Sequence, residues 1–208
     1  MRPFRREEGV LVPLDRSDVD TDQIIPKQFL KRIERTGYGD YLFYDCRFDS
    51  NGSPRAEFML NQEPYRNGSV LVAGRNFACG SSREHAVWAL SDYGFRAVIA
   101  PSFADIFRNN ALKSGVLPVI LPEEQVRELM DLAQEDPGVT ASVDLESQTV
   151  TAGDLRYSFG MDGFERRTLL EGLDDIALTL RHADAISAYE SARPSWLPHV
   201  AREAAAPR

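Results

Sequence analysis

Cysteine is scarce in this chain, with only Cys46 and Cys79 among 208 residues. A disulfide scaffold or a cysteine-rich zinc site requires more of them. An iron–sulfur cluster requires about four thiolates. We therefore expect neither a disulfide framework nor a zinc site, and any iron–sulfur cluster would have to be bound by another chain.

Excess positive charge and long apolar runs are also missing. Lysine and arginine total 24 against 32 acidic residues, a formal net charge of −8, and the sequence pI is near 5.0. Binding to nucleic acid or to an anionic membrane needs a clustered positive surface, so neither partner is expected. Residues 1–10 contain no apolar stretch of signal-peptide or membrane-spanning length, and we expect a soluble, cytoplasmic protein.

Apolar runs and helical periodicities alternate along the chain. Strands are predicted at residues 10–14, 69–73, 96–100 and 116–121, and Pro118 places the last of them at an edge or a bulge. Intervening helices are predicted over the apolar positions from 86 to 93, closed by Gly94, and at 103–113 and 122–135, which indicates a parallel βαβ core. Three alternating segments (139–145, 148–152 and 155–159) predict an appended antiparallel sheet, and helices are predicted at 164–171 and 174–189. We expect one domain over residues 1–193 and a disordered tail from 194 to 208.

The stretch from 74 to 90, GRNFACGSSREHAVWAL, concentrates polar groups in a turn between a predicted strand and a predicted helix. The carboxyl ends of parallel strands are where open α/β sheets place ligands, so we look for the chemistry here. The simplest alternative is a capping box with Ser81 as N-cap and Glu84 three residues on. The turn fits neither a Walker phosphate loop nor a nucleophile elbow. His85 is expected to be an ordinary helix residue or a supporting partner, and Cys79 a partly buried thiol.

Two upstream segments have open interpretations. The alternating aspartates of residues 15–22 lack the glycine and glutamate of an EF-hand, so they are expected to cap turns. Residues 27–34 have helical periodicity, and residues 40–48 are rich in aromatics. The whole segment 27–48 is either a loop that orders against a ligand or partner, or a flap packed on its own domain.

Three strings together carry a family resemblance: NFACGSSREHA at 76–86, APSFADIF at 100–107 and VDTDQIIP at 19–26. With GLDDI at 172–176 and DAI at 184–186, they resemble the small subunit of 3-isopropylmalate dehydratase, the isopropylmalate isomerase of leucine biosynthesis in the aconitase superfamily. The resemblance extends to about Tyr189 and is absent from 194 to 208.

This resemblance implies a swivelling β/β/α domain that works only with a large subunit that holds a [4Fe–4S] cluster. The implied activity is that of a hydro-lyase, which dehydrates 2-isopropylmalate and rehydrates the product to 3-isopropylmalate. Carried over by position, Ser81 is the base that removes the carbon-bound proton, Arg83 binds a substrate carboxylate, and Ser82 helps to position it. Lys31 or Arg32 is a candidate for the second carboxylate, and segment 27–48 for closure over the substrate.

Two alternatives stay open at this point. A sister hydro-lyase acting on citramalate, dimethylmalate or homoaconitate would keep the fold and the assignment of Ser81, because a methylene group or two discriminates only modestly. A noncatalytic module that binds an anion at the helix start near Ser81 would differ in class, and it predicts that Ser81→Ala leaves a partner's activity unchanged.

Overall fold

The computed structural model describes residues 1–31, 34–80, 83–194 and 196–197. The chain divides into two compact units, Met1–Asp174 and Asp175–Arg208. The first contains the sheet and six α-helices, and the second contains two helices. Within the described ranges, no helix is long and apolar enough to cross a membrane.

The first unit is built on one seven-stranded sheet in the order β4-β3-β2-β1-β5-β6-β7. Strands β1 to β4 are parallel, and β5 to β7 continue the sheet in antiparallel pairing. The strands are β1 Arg6–Leu14, β2 Val70–Ala73, β3 Ala97–Ala100, β4 Leu117–Ile120, β5 Thr140–Asp144, β6 Thr149–Ala152 and β7 Leu155–Ser158.

The long first strand joins the two parts of the sheet. Its carboxyl half pairs with β2, starting at Leu11 opposite Val70, and its amino half pairs with β5, starting at Arg6 opposite Asp144. The sequence predicts only residues 10–14 as a strand. The sequence does not predict the amino half as a strand because it is charged and contains no apolar run. Its strand conformation depends on pairing with β5, which is distant in sequence.

Eight α-helices and three 3-10 helices connect and flank the strands in the described residues. The α-helices are α1 Thr21–Ile24, α2 Tyr44–Arg47, α3 Glu84–Tyr93, α4 Asp105–Ser114, α5 Glu123–Glu135, α6 Gly163–Glu171, α7 Asp175–Leu180 and α8 Ala183–Ala192. The 3-10 helices are Lys27–Lys31, Gly39–Tyr41 and Met59–Asn61. Helices α3 and α4 end at Gly94 and Gly115, both with positive φ, as helix C-termini commonly do.

Both faces of the parallel strands are buried. In β2, Leu71 and Ala73 pack with α3 and α4 in one apolar cluster, whereas Val70 and Val72 pack with α5 in the other. Strands covered on both faces read as continuous apolar runs, which explains why β2, β3 and β4 are visible in the sequence.

The predicted parallel core and appended antiparallel part are confirmed, and β4, which contains Pro118, is an edge strand. Two helix predictions are wrong. The helix predicted over residues 174–189 is divided into α7 and α8 at residues 181–182, where no glycine or proline marks a break. Segment 27–34 forms a 3-10 helix over Lys27–Lys31, and residues 32–33 lie outside the described ranges. The single domain over 1–193 stays a prediction, and most of the tail from 194 to 208 lies outside the described residues.

Candidate functional site

Three loops meet at the carboxyl edge of β1, β2 and β3. The Gly74 amide donates to the carbonyl of Arg16 (2.9 Å), and the Cys79 amide donates to the carbonyl of Val19 (3.0 Å). On the other side, the Phe77 amide donates to the carbonyl of Ser102 (3.0 Å). The loops thus continue the pairing of the strands, and the polar turn lies where the sequence predicts it.

Side chains also join these loops. The Asn76 side-chain amide donates to the Asp18 carboxylate (2.8 Å), and the Asn76 backbone amide donates to the Ser102 hydroxyl (2.8 Å). Asp18 and Asn76 both have left-handed backbones, with φ of 55° and 54°. Asparagine and aspartate tolerate this conformation better than other non-glycine residues. The loops that support the start of α3 are therefore fixed to one another.

Asp20 and Gly80 approach one another closely between the first two loops. The Asp20 carboxylate accepts from the Asp22 amide and forms a capping box with Gln23 at the start of α1, so the predicted capping role of the aspartates is confirmed for Asp20. Gly80 has φ of +85°, and a Cβ there would lie 2.6 Å from Asp20 Oδ2. A side chain at position 80 would displace the carboxylate that caps α1.

We expect Gly80→Ala to destabilise the protein by about 1–3 kcal/mol, from left-handed backbone strain together with partial loss of the Asp20 cap. Gly52→Ala is the matched control, because Gly52 has φ of +80° but a Cβ added there would meet nothing within 4 Å. Urea denaturation should show a cost of about 1 kcal/mol for the control. An equal loss in both variants would contradict the close approach.

Helix α3 begins at Glu84, and Arg83 occupies its N-cap position with an extended backbone (φ −139°, ψ 121°). The predicted capping box is therefore wrong, since Glu84 is the first helical residue and cannot be the third. Ser81 and Ser82, the predicted base and positioning residue, lie outside the described residues, as does Arg32. Lys31 is the last residue of the 3-10 helix Lys27–Lys31.

Arg83 is held by an aspartate for which the sequence predicts only a turn-capping role. Its Nη1 donates to Asp22 Oδ1, and Lys27 Nζ lies 3.0 Å from Asp22 Oδ2. The Arg83 side chain is 15% exposed and that of Asp22 is 33% exposed. Two cations thus share one carboxylate in a partly buried place, which leaves local positive charge to attract an anion.

The sequence does not predict that Asp22 holds Arg83, because capping already explains the alternating aspartates. Asp20 does cap α1. Its contact with Arg83 joins residues 61 positions apart in the chain. These two side chains meet only because the loops after β1 and β2 pair with one another. No local sequence pattern predicts that pairing.

His85, the second residue of α3, packs against aromatic rings. Its ring centroid lies 5.4 Å from that of Tyr38 and 4.7 Å from that of Trp88. Burial lowers the pKa of His85 below 6.5, with Glu84 and Arg83 acting in opposite directions. Ring contacts with Tyr38 and Trp88 support the interpretation of His85 as an ordinary helix residue.

The lowered pKa of His85 gives a signed prediction for stability against pH. The unfolded chain takes up this proton near pH 6.5, before the folded chain does, so the free energy of unfolding falls as the pH drops below that value. His85→Gln should remove this part of the pH dependence, measured by urea denaturation between about pH 5 and 8. His182→Gln, at an exposed histidine, is the control for replacing a histidine elsewhere in the chain. An unchanged profile in His85→Gln would contradict the burial effect.

The aromatic part of segment 27–48 packs on its own domain. Tyr38, Leu42 and Phe43 are buried in the cluster that contains α3, and the rings of Phe29 and Tyr41 stack with centroids 4.1 Å apart. A Cβ on Gly39 would lie 2.7 Å from the backbone nitrogen of Tyr93. Of the two open interpretations, the packed flap holds for residues 38–43.

The two cysteines of this chain, Cys46 and Cys79, are free thiols. Burial raises the pKa of Cys79, and the charges of Asp20 and Asp18 raise it further, so this thiol is held protonated. Over the described ranges, no three histidine, cysteine, aspartate or glutamate residues are placed to hold a metal ion.

Comparison with protein families gives three consecutive matches. Residues 1–124 match the family described as Aconitase C-terminal domain, and residues 127–163 match one described as LeuD_N. Residues 175–202 match the C-terminal domain of the 3-isopropylmalate dehydratase small subunit.

Curated relatives are similar over almost their full length. A 3-isopropylmalate dehydratase small subunit of Koribacter versatilis is 58% identical over 92% of this chain and 99% of its own length. One of Rubrobacter xylanophilus is 54% identical over 96% of this chain and 100% of its own length.

A solved structure supports the fold. The crystal structure of 3-isopropylmalate dehydratase from Methanocaldococcus jannaschii aligns with a TM-score of 0.63 at 28% identity. The alignment covers 89% of this chain and 99% of that one. Together with the match to the aconitase C-terminal domain, it confirms the predicted fold class.

Proposed function

This chain belongs to the family of 3-isopropylmalate dehydratase small subunits, and on that basis we propose that it forms one half of an active site completed by a large subunit. The reaction is the isomerisation of 2-isopropylmalate to 3-isopropylmalate in leucine biosynthesis, through an unsaturated dicarboxylate. The observation that carries the assignment to a site is the position of Arg83, which lies at the start of α3 where the loops after β1 and β2 meet.

Arg83 binds a carboxylate of the substrate in this proposal. A guanidinium has five N–H donors, and the contact with Asp22 through Nη1 uses one edge of that fork. Asp22 holds the fork in one orientation, so that little conformational freedom is lost when a second carboxylate binds. Lys27, which shares Asp22, adds positive charge nearby.

Ser81 takes the carbon-bound proton of the substrate and returns it during rehydration. A hydroxyl is a poor base in water, so its alkoxide must be stabilised by neighbouring positive charge and N–H donors. The first amides of α3 have no partner within the helix and carry the positive end of its dipole, which suits a developing anion. Arg83, directly before that helix, adds a full charge, and Ser82 helps to position the substrate.

Lewis-acid chemistry at the substrate hydroxyl is assigned to a [4Fe–4S] cluster on the large subunit, because the two cysteines of this chain are too few to hold one. The residues of this chain handle the carbon-bound proton and bind one substrate carboxylate. The proposed compartment is the cytoplasm, since both cysteines are free thiols, the form that reducing compartments maintain.

A substrate panel tests the specificity. This chain, mixed with an anaerobically reconstituted large subunit of a bacterial 3-isopropylmalate dehydratase, should turn over 2-isopropylmalate with a higher kcat/KM than citramalate, dimethylmalate or homoaconitate. Ultraviolet absorbance of the unsaturated intermediate follows the reaction. Preferred turnover of one of the other acids would mean that the chain is the small subunit of a related hydro-lyase, and the site assignments would stay as proposed.

A further inference from the structure

A second pocket lies at the opposite end of α3 from Arg83. It has a volume of about 530 Å³, and its lining includes Asp40, Arg47, Arg66, Asp92 and Tyr93. Because α3 has ten residues and rises about 1.5 Å per residue, its two ends are about 15 Å apart. The pocket is therefore separate from the proposed isomerase site.

Arg47 is the most constrained charge in this pocket. Its half-buried guanidinium donates to the carbonyl of Leu42 and to Asn61 Oδ1, both at 3.4 Å. It also lies over the rings of Phe48 and Tyr93, 5.1 and 5.2 Å from their centroids. No described carboxylate forms an ion pair with it. A partly buried charge of this kind is costly, and a bound anion would compensate for it.

The neighbouring charges define what kind of anion fits. Burial lowers the pKa of Arg47, and the positive charge of Arg66 lowers it further, while Asp40 raises it. Arg66 pairs with Glu63 through Nη1 (2.7 Å) and keeps its other N–H donors, so both arginines that line the pocket can donate to a carboxylate. Asp40 and Asp92 line the same pocket, and a dicarboxylate or phosphate would be repelled by them.

We propose that this pocket binds a free α-amino acid, with its carboxylate on Arg47 and Arg66 and its ammonium group on Asp40 and Asp92. The lining combines two guanidinium groups and two carboxylates, which is the charge pattern of a zwitterion. A bidentate arginine–carboxylate contact supplies the geometry for one end. The volume lies within the range of small-molecule pockets.

The ligand would contact both the flap and α3. Gly37, Gly39 and Asp40 line the pocket from the flap side, and the Tyr38 amide already donates to Asp92 Oδ2 at 2.9 Å. Asp92 keeps its second carboxylate oxygen for an ammonium group, since a carboxylate accepts several hydrogen bonds.

Isothermal titration calorimetry of the full chain, alone and mixed with the large subunit, tests the proposal. The probes are L-alanine and L-leucine, each beside its N-acetyl and amide analogues, which lack one of the two charges. We expect at least one of the two amino acids to bind, and its N-acetyl and amide analogues to bind at least about tenfold more weakly. Absence of binding by both amino acids, or binding of either analogue as tight as that of its parent amino acid, would overturn the proposal.

Two variants locate the binding. Arg47→Lys should weaken it about tenfold, because lysine lacks the planar fork. Asp40→Asn removes a charge at an exposed residue and should weaken the binding as well. The control is Arg5→Lys, at an exposed arginine that pairs with Glu146, and it should leave binding unchanged. If Arg47→Lys lowers the melting temperature, Asp40→Asn still decides, since unchanged binding in that variant contradicts the ammonium contact.

Discussion

Ser81→Ala is expected to lower kcat for isomerisation of 2-isopropylmalate by about 10² to 10⁴ in the assembled complex, while the complex still forms. Removal of a positioned general base typically costs this much. The substitution deletes one oxygen and adds no bulk, so the fold of the first unit should be retained. Absorbance of the unsaturated intermediate gives the rate, and gel filtration with the large subunit reports assembly.

Ser82→Ala is the neighbouring control for that experiment. If Ser82 only helps to position the substrate, its loss should raise KM more than it lowers kcat. An unaltered rate in Ser81→Ala would remove the base assignment and would favour a noncatalytic module that binds an anion at the start of α3.

Arg83→Lys is expected to lower kcat/KM by about a hundredfold or more, although the charge is conserved. A lysine can still pair with Asp22, but it cannot offer a substrate carboxylate two parallel donors. Misplacement of a bound substrate by about 1 Å is itself enough for such a loss. Steady-state kinetics of the complex with 2-isopropylmalate measure the effect.

Arg108→Lys separates this effect from the general cost of altering a half-buried arginine. Arg108, on α4, forms two bonds of 2.7 and 2.6 Å with Glu165, on α6, so both residues lie on helices and not on the three loops of the candidate site. This variant should lower stability and leave kcat/KM within about twofold of the parent value. Equal losses of kcat/KM in both variants would mean that Arg83 acts only through the fold.

Asp22→Asn tests how Arg83 is positioned. Asparagine keeps the shape of the side chain and one oxygen acceptor but removes the charge that orients the guanidinium. We expect a loss in kcat/KM of about tenfold, smaller than for Arg83→Lys and expressed mainly in KM. If Asp22 had a purely structural role, Asp22→Asn would lower the melting temperature and would not change KM more than it changes kcat.

The parallel core was predictable because its strands are buried on both faces. Runs such as Val70–Ala73 read as continuous apolar segments, and Pro118 identified an edge strand correctly. The amino half of β1 was not predictable, since Arg6, Glu7 and Glu8 take strand geometry only through β5. Nothing in the local composition indicates that this segment pairs with β5.

The turn before α3 is located correctly by the sequence but misread in detail. The motif S-x-x-E suggests that Ser81 is the N-cap of the helix. In the structure the N-cap is Arg83, and the first helical residue is Glu84. The contact of Arg83 with Asp22 depends on how two loops pair at the edge of the sheet. The same holds for the pocket around Arg47, whose lining comes from four separate parts of the chain. Such groupings exist only after folding.

The most direct measurement of the split-site account is the isomerisation rate of 2-isopropylmalate with this chain, the reconstituted large subunit and their mixture, each assayed anaerobically. The account predicts turnover only in the mixture, rising with added chain until the large subunit is saturated. Turnover by the large subunit alone at the same rate would contradict it, because this chain would then contribute no group to the reaction.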